Sequence, residues 1–227
     1  MKYTLLLAWT LLILSCNNKT IIQLAEIDHS KITQIREVSA VYLFYDETQI
    51  DSVRLNRKNS ISTTNWLVNV DKRLTLKQVI PHIKFLQDKK QHAGHHNPNA
   101  KNYFTCHDTS RNNLGFLEFT NTKFEDEVSD QVFLNEAERS HVIHIRVGSL
   151  SQIQITCFFD TLAFKWSTIE NLKNDMTSLW PQDNKYTKII LSFDNKMSFQ
   201  DYVTIKSVLS NIEMENVVIS NTEYILN

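Results

Sequence analysis

Glycine, proline and cysteine are scarce in this chain of 227 residues, at three each. So few glycines and prolines exclude a collagen-like repeat or a Pro/Gly-rich disordered chain. They also leave no glycine-rich loop to cradle a phosphate. Charge of one sign is lacking as well: the net charge is -1 and the pI about 6.7. No basic field exists to draw in nucleic acid, so that partner is set aside. There is no nucleophile elbow and no cysteine pair at metal spacing. An enzyme of the hydrolase type therefore has no supporting constellation, and no cofactor is expected. What remains is an ordinary globular composition, 42% apolar and 22% charged.

Long apolar runs are also missing. The N-terminal one extends from Leu5 to Leu14 after Lys2. As a helix it rises only about 15 Å, half of a hydrocarbon core of about 30 Å. It fits the core of an export signal better than a permanent span. The run ends in ILSC, Ile13 to Cys16, which resembles a bacterial lipobox. That resemblance implies a signal peptide over residues 1–16, acyl chains such as palmitate on Cys16, and a membrane-anchored lipoprotein facing the periplasm or the outside. An ordinary secretory signal with a chance Cys16 is a second reading, and a cytoplasmic protein with an apolar start a third. Export would place Cys106 and Cys157 where a disulfide persists. A bridge between them and two buried thiols acting as small apolar residues are both open.

Downstream, residues 17–37 show no sustained period and read as a tether. Strand-like runs follow: AVYLFY from Ala40, DSVRLN from Asp51 and TNWLVNV from Thr64. Thr75 and Gln78 have the spacing of a capping box. Leu76, Val79, Ile80, Ile83 and Leu86 then share a helical face. Pro81 inside that pattern predicts a kink or a late start. After a polar loop through Ala100, KNYFTCH and LGFLEFT read as strands. Residues 38–125 thus form a first α+β domain. An acidic junction, 126–141, carries Asp126, Glu127 and Asp130, with Glu125 just before it.

Residues 142–227 form a second α+β domain. VIHIRV from Val142 and IQITCFF from Ile153 alternate as strands. His141 and His144 read as surface or edge residues. STIE, Ser167 to Glu170, has capping-box spacing and predicts a helix carrying Trp166, Ile169, Leu172, Met176 and Leu179 on one face, with Pro181 beyond its end. KIILSF is a buried strand, Ser198 caps a further helix, and NVVIS and EYIL close the chain.

The two domains echo each other. A shift of 123 residues pairs Val70 with Phe193, Asp71 with Asp194, Arg73 with Lys196, Leu74 with Met197, Thr75 with Ser198, and Leu76 with Phe199. Val79, Ile80 and Leu86 then meet Tyr202, Val203 and Leu209 without a gap. The expected architecture is α+β: two tandem small domains of strands and helices packed on mixed sheets, related by internal duplication.

Over residues 142–222 the second domain resembles the periplasmic domain of the ExbD/TolR family of biopolymer transport accessory proteins. IILSFD, Ile189 to Asp194, matches a strand ending in Asp. NKMSF matches the short basic turn, QDYV the opening of the helix, VVIS the closing strand, and STIENL falls where the family has a helix. The first domain matches only from residue 64 to 86. In that family a transmembrane helix carries an Asp that takes part in proton flow. Here no acidic residue lies between Met1 and Cys16. The resemblance therefore implies the folded domain and not proton conduction.

Asp71 and Asp194 each precede a helix, where unpaired N–H groups stabilise a carboxylate. The metal candidates are His92, His95, His96 and His107, with Asp108 beside the last; zinc needs three or four such ligands at one point. The bland alternative is an exposed polar loop. The function expected is a non-enzymatic envelope protein acting on a protein complex or peptidoglycan, or as a homodimer, through an open sheet edge. The alternative is a metal-binding envelope lipoprotein using the His-rich loop.

Overall fold

The computed structural model describes residues 21–95, 97–126, 141–158, 162–179, 186–212 and 216–227. Cys16, His96, Glu127, Asp130 and Pro181 lie outside the described residues. No helix among the described residues is long and apolar enough to cross a membrane.

The first repeat runs β1 (Ala25–Ile27), β2 (Val38–Tyr45), β3 (Val53–Asn56), β4 (Asn65–Val70), α1 (Leu76–Gln91), β5 (Asn102–Asp108) and β6 (Asn113–Glu118). The remainder runs β7 (Lys123–Glu125), β8 (His141–Ser149), β9 (Gln152–Phe158), β10 (Leu162–Ser167), α2 (Leu172–Ser178), β11 (Thr187–Asp194), α3 (Phe199–Ser210) and β12 (Val217–Leu226). These elements build two mixed six-stranded sheets, so the chain is α+β with two tandem units. Four lanes are equivalent. In the first sheet β3 is antiparallel to β2, then β4 and β5 follow in parallel. In the second, β9 is antiparallel to β8, then β11 and β12 follow in parallel.

Both core strands of the joint are largely buried, as parallel central strands are, with Trp66, Val68 and Val70 forming the apolar face of β4. In β11, six of eight residues are buried. The helix after β4 starts at its expected cap. Gln78 Oε1 accepts from the Thr75 backbone N–H at 2.8 Å and from the Thr75 hydroxyl at 2.9 Å. Pro81 neither delays nor ends α1, which continues to Gln91.

The repeated joint has a physical reason. The first N–H groups of a helix lack partners within the helix. Here each repeat supplies them to the other. Leu76 N–H donates to the Met197 carbonyl at 2.9 Å and Phe199 N–H to the Leu74 carbonyl at 2.7 Å. Lys77 N–H donates to Asn195 at 2.8 Å and Gln200 N–H to Lys72 at 3.3 Å. The offset of 123 residues maps each bond onto its mate. The next donors stay local: Gln78 N–H reaches the Thr75 carbonyl, and Asp201 N–H the Ser198 hydroxyl at 3.1 Å.

The core is likewise shared. One contiguous cluster takes in Val68, Val70, Ile83 and Phe104 of the first repeat with Phe193, Phe199, Tyr202 and Ile145 of the second. Phe104 is the bridge: it stacks on Phe119 at 3.9 Å and meets Phe199 edge-on at 5.1 Å.

Several expectations change. The segment 17–37 is not only a tether, since Ala25–Ile27 pairs in parallel with Cys106–Asp108. β6 occupies the far edge of β5, so β1 continues the lane of β4. Lys123–Glu125, assigned to the first domain, pairs with Thr222–Tyr224 and belongs to the second sheet. The STIE box does not open a helix. Ser167 ends β10, and α2 begins at Leu172 after Asn171. His141 and His144 are buried, and His144 Nε2 lies 2.8 Å from Ser192 Oγ. NVVIS and EYIL form one strand with a register shift at Ile189/Leu191.

Candidate interaction surfaces

The histidines do not converge. His92 is exposed at the end of α1, where Nδ1 lies 2.9 Å from the Asp88 carbonyl. His95 is exposed in the following loop. His107 sits near the far end of β5, where Nε2 lies 3.2 Å from Asn112 Oδ1. A strand rises about 3.3 Å per residue, so β5 carries His107 about 17 Å beyond Asn102. Asp108 is already committed, because its buried carboxylate accepts from Ser30 N–H, the Ser110 hydroxyl and Arg111. The Ser110 bond, against the opposing effect of burial, with the help of Ser30 and Arg111, holds it well below the usual carboxylate range. Among the described residues no three His, Cys, Asp or Glu side chains come together as a metal site. Cys106 and Cys157 are free and buried in different sheets, so the disulfide is not formed. Burial pushes their thiols up to about 12 and about 11.

Asp71 follows β4 and Asp194 ends β11, and each carboxylate holds the turn after it. Asp71 Oδ1 accepts from Arg73 N–H at 3.2 Å, and Asp194 Oδ1 from Lys196 N–H at 2.8 Å. Asp71 is further held by both ends of the Arg73 guanidinium, at 2.8 and 2.9 Å, and by Gln23 N–H. A third buried carboxylate, Glu223, accepts from the Tyr202 hydroxyl at 2.8 Å and pairs with Lys206. Burial, and then the Glu223 charge, push the Tyr202 phenol well up. This group is enclosed between α3 and β12 and is part of the core.

The exposed feature is the edge strand β10. Phe164 and Trp166 are 65% and 63% exposed. Alternation along a strand puts Lys165 and Ser167 on the opposite face. Both reach α2: Lys165 Nζ lies 2.5 Å from Asp175 and Ser167 Oγ 2.7 Å from it. These two bonds, Lys165 first, hold the Asp175 carboxyl down and clamp β10 to α2. The clamp leaves both aromatic rings pointing outward, opposite Thr156 and Gln154 of β9. Among the described residues nothing pairs with the outer side of β10. Two other edges are better guarded, while β3 of the first sheet is open but only four residues long. β7 has three residues, and Phe116 of β6 is bonded to Ile32. The alternation Phe164-Lys165-Trp166, just after another strand, was the available sign of a hairpin.

Comparison with protein-family models, with curated proteins and with solved structures finds no match for this chain.

Proposed function

We propose that this chain is a non-enzymatic interaction protein of the cell envelope, anchored through acyl chains on Cys16, that takes a partner by strand addition at β10. The open edge carries the reading. Proteins normally blunt such edges with charge, proline or cover. A six-residue edge bearing two large exposed aromatic residues, with its lysine turned inward, is built for contact. Main-chain bonds would give affinity and the two rings specificity. The lipobox-like ILSC supports the anchor. The ExbD/TolR-like turn, IILSFD followed by NKMSF, supports an envelope setting without proton conduction.

Crosslinking and co-purification from membranes test this, comparing the native chain with F164S/W166S. Loss of the co-purifying envelope protein, or of a crosslinked second copy, is the expected result, with unchanged melting. Retention of every crosslink would refute it. Metabolic labelling with a fatty acid, lost in Cys16→Ser, tests the anchor separately.

A further inference from the structure

The first repeat carries a different surface in the lane equivalent to β9. β3 is an edge strand, paired only with β2 among the described residues. Beside it lies an open cleft of about 740 Å³. Arg54, Arg57, Lys58 and Lys89 line it, together with Phe44 and Asn56, and no carboxylate does. Two of the cations are held in place by rings: the Arg54 guanidinium lies 5.1 Å from the centre of Phe44, and that of Arg57 5.4 Å from the centre of Phe85. Stacking on aromatic faces orders a guanidinium while leaving its N–H fork available. Arg54 also meets Asp46, at 3.5 Å. Arg57 has no carboxylate among the ion pairs of the described residues, nor has Lys58 or Lys89. Like charges gathered this way repel one another unless an anion joins them.

We propose that this cleft binds an extended acidic segment of a partner protein, laid along β3. The partner chemistry follows from two coincident features. The cations call for several carboxylates. The unpaired edge calls for a backbone with N–H and C=O groups at strand spacing. A lipid surface or polyphosphate could answer the first feature only. The site is separate from β10 and stands whether or not the β10 reading holds.

The test is fluorescence anisotropy of the full chain in detergent with a labelled, end-blocked peptide of four Glu-Val repeats. Binding that weakens with salt is expected, because exposed charges are screened. R57E/K58E should weaken it by about tenfold or more, since rim charges act together in complementarity. The same peptide N-methylated at alternate positions should bind more weakly, and four Lys-Val repeats not at all. F164S/W166S should bind normally. If R57E/K58E melts early, K89E alone should still weaken binding by about threefold. The proposal is overturned by no binding of the Glu-Val peptide, by equal binding to the charge-reversed chain, or by equal binding of the N-methylated peptide. Capture of phosphatidylglycerol vesicles in place of the peptide would also overturn it.

Discussion

Truncating Phe104 to alanine tests whether the two repeats fold as one. Phe104 is fully buried on β5. Its ring lies 3.9 Å from Phe119 in its own repeat, and 5.1 and 6.3 Å from Phe199 and Tyr202 in the other. Tyr202 in turn meets Phe193 at 5.1 Å, so a chain of rings crosses between the sheets. Phe→Ala in a core costs roughly 3–5 kcal/mol. At about 2–4 °C per kcal/mol for a protein of this size, Phe104→Ala should melt roughly 6–20 °C lower. The two buried thiols report on each half, since Cys106 is in the first sheet and Cys157 in the second. Pulsed thiol labelling across a urea series, in a Cys16→Ser background, follows both. A shared core requires the two cysteines to become reactive over the same urea range, and Phe104→Ala to move both together. If Cys106 shifts while Cys157 stays put, the halves unfold independently and the reasoning from the ring chain fails.

Three more outcomes follow from charged groups at the joint and in the core. Asp71→Ala should cost about 2–3 kcal/mol, because it removes a buried carboxylate, though the Arg73 left behind is partly in water. Asp194→Ala, at the equivalent turn, should cost about 1 kcal/mol for its backbone bond; equal costs in urea unfolding would contradict this. Burial pushes the Asp71 carboxyl up, but its bonds to Arg73 and Gln23 outweigh that and hold it below the usual range. Its stabilisation is therefore present above the unfolded carboxyl value near pH 4 and lost as pH falls through the folded one, an acid limb that Asp71→Ala lacks. Lys90 runs the opposite way. Burial pushes its ammonium down to about 8, beside Trp66 and the Asn102 carbonyl group. Between there and about 10.4 the unfolded chain binds more protons, so stability rises with pH. The native chain should gain on the order of 2 kcal/mol over Lys90→Met across that window, and a flat difference would count against it.

Much of the fold was legible because it was local. The capping box at Thr75, the apolar face of α1 and the Ser198 cap are all set by neighbours within a few residues. The duplication was legible because the joint recurs without a gap. Three-residue strands were not legible. β1 and β7 exist only through pairing with β5 and β12, far away in sequence. Local rules also misled where a tertiary partner won. The Ser167 hydroxyl has capping spacing to Glu170, but pairing of Phe164 and Trp166 with β9 and the bond to Asp175 hold it in a strand. The histidines looked clustered by residue count, whereas an extended strand turns a few residues into a long distance. The candidate surfaces were least legible, since exposure of an edge depends on which lanes the rest of the chain leaves open.

The joint also explains where the two copies were free to diverge. Neither repeat satisfies the first two N–H groups of its own helix, because Leu76 and Lys77 bond to carbonyls of Met197 and Asn195, while Phe199 and Gln200 bond to those of Leu74 and Lys72. That reciprocity fixes the strands β4 and β11 and the helices after them. It places no constraint on the lanes two strands away. In the first repeat that lane is β3, four residues long, open and basic. In the second it is β9, on whose outer side β10 pairs, so that the edge moves outward and becomes aromatic. Equivalent positions in one duplicated frame thus present opposite chemistries. A change confined to either edge should alter one binding event and leave the other, and the stability of the shared core, unchanged.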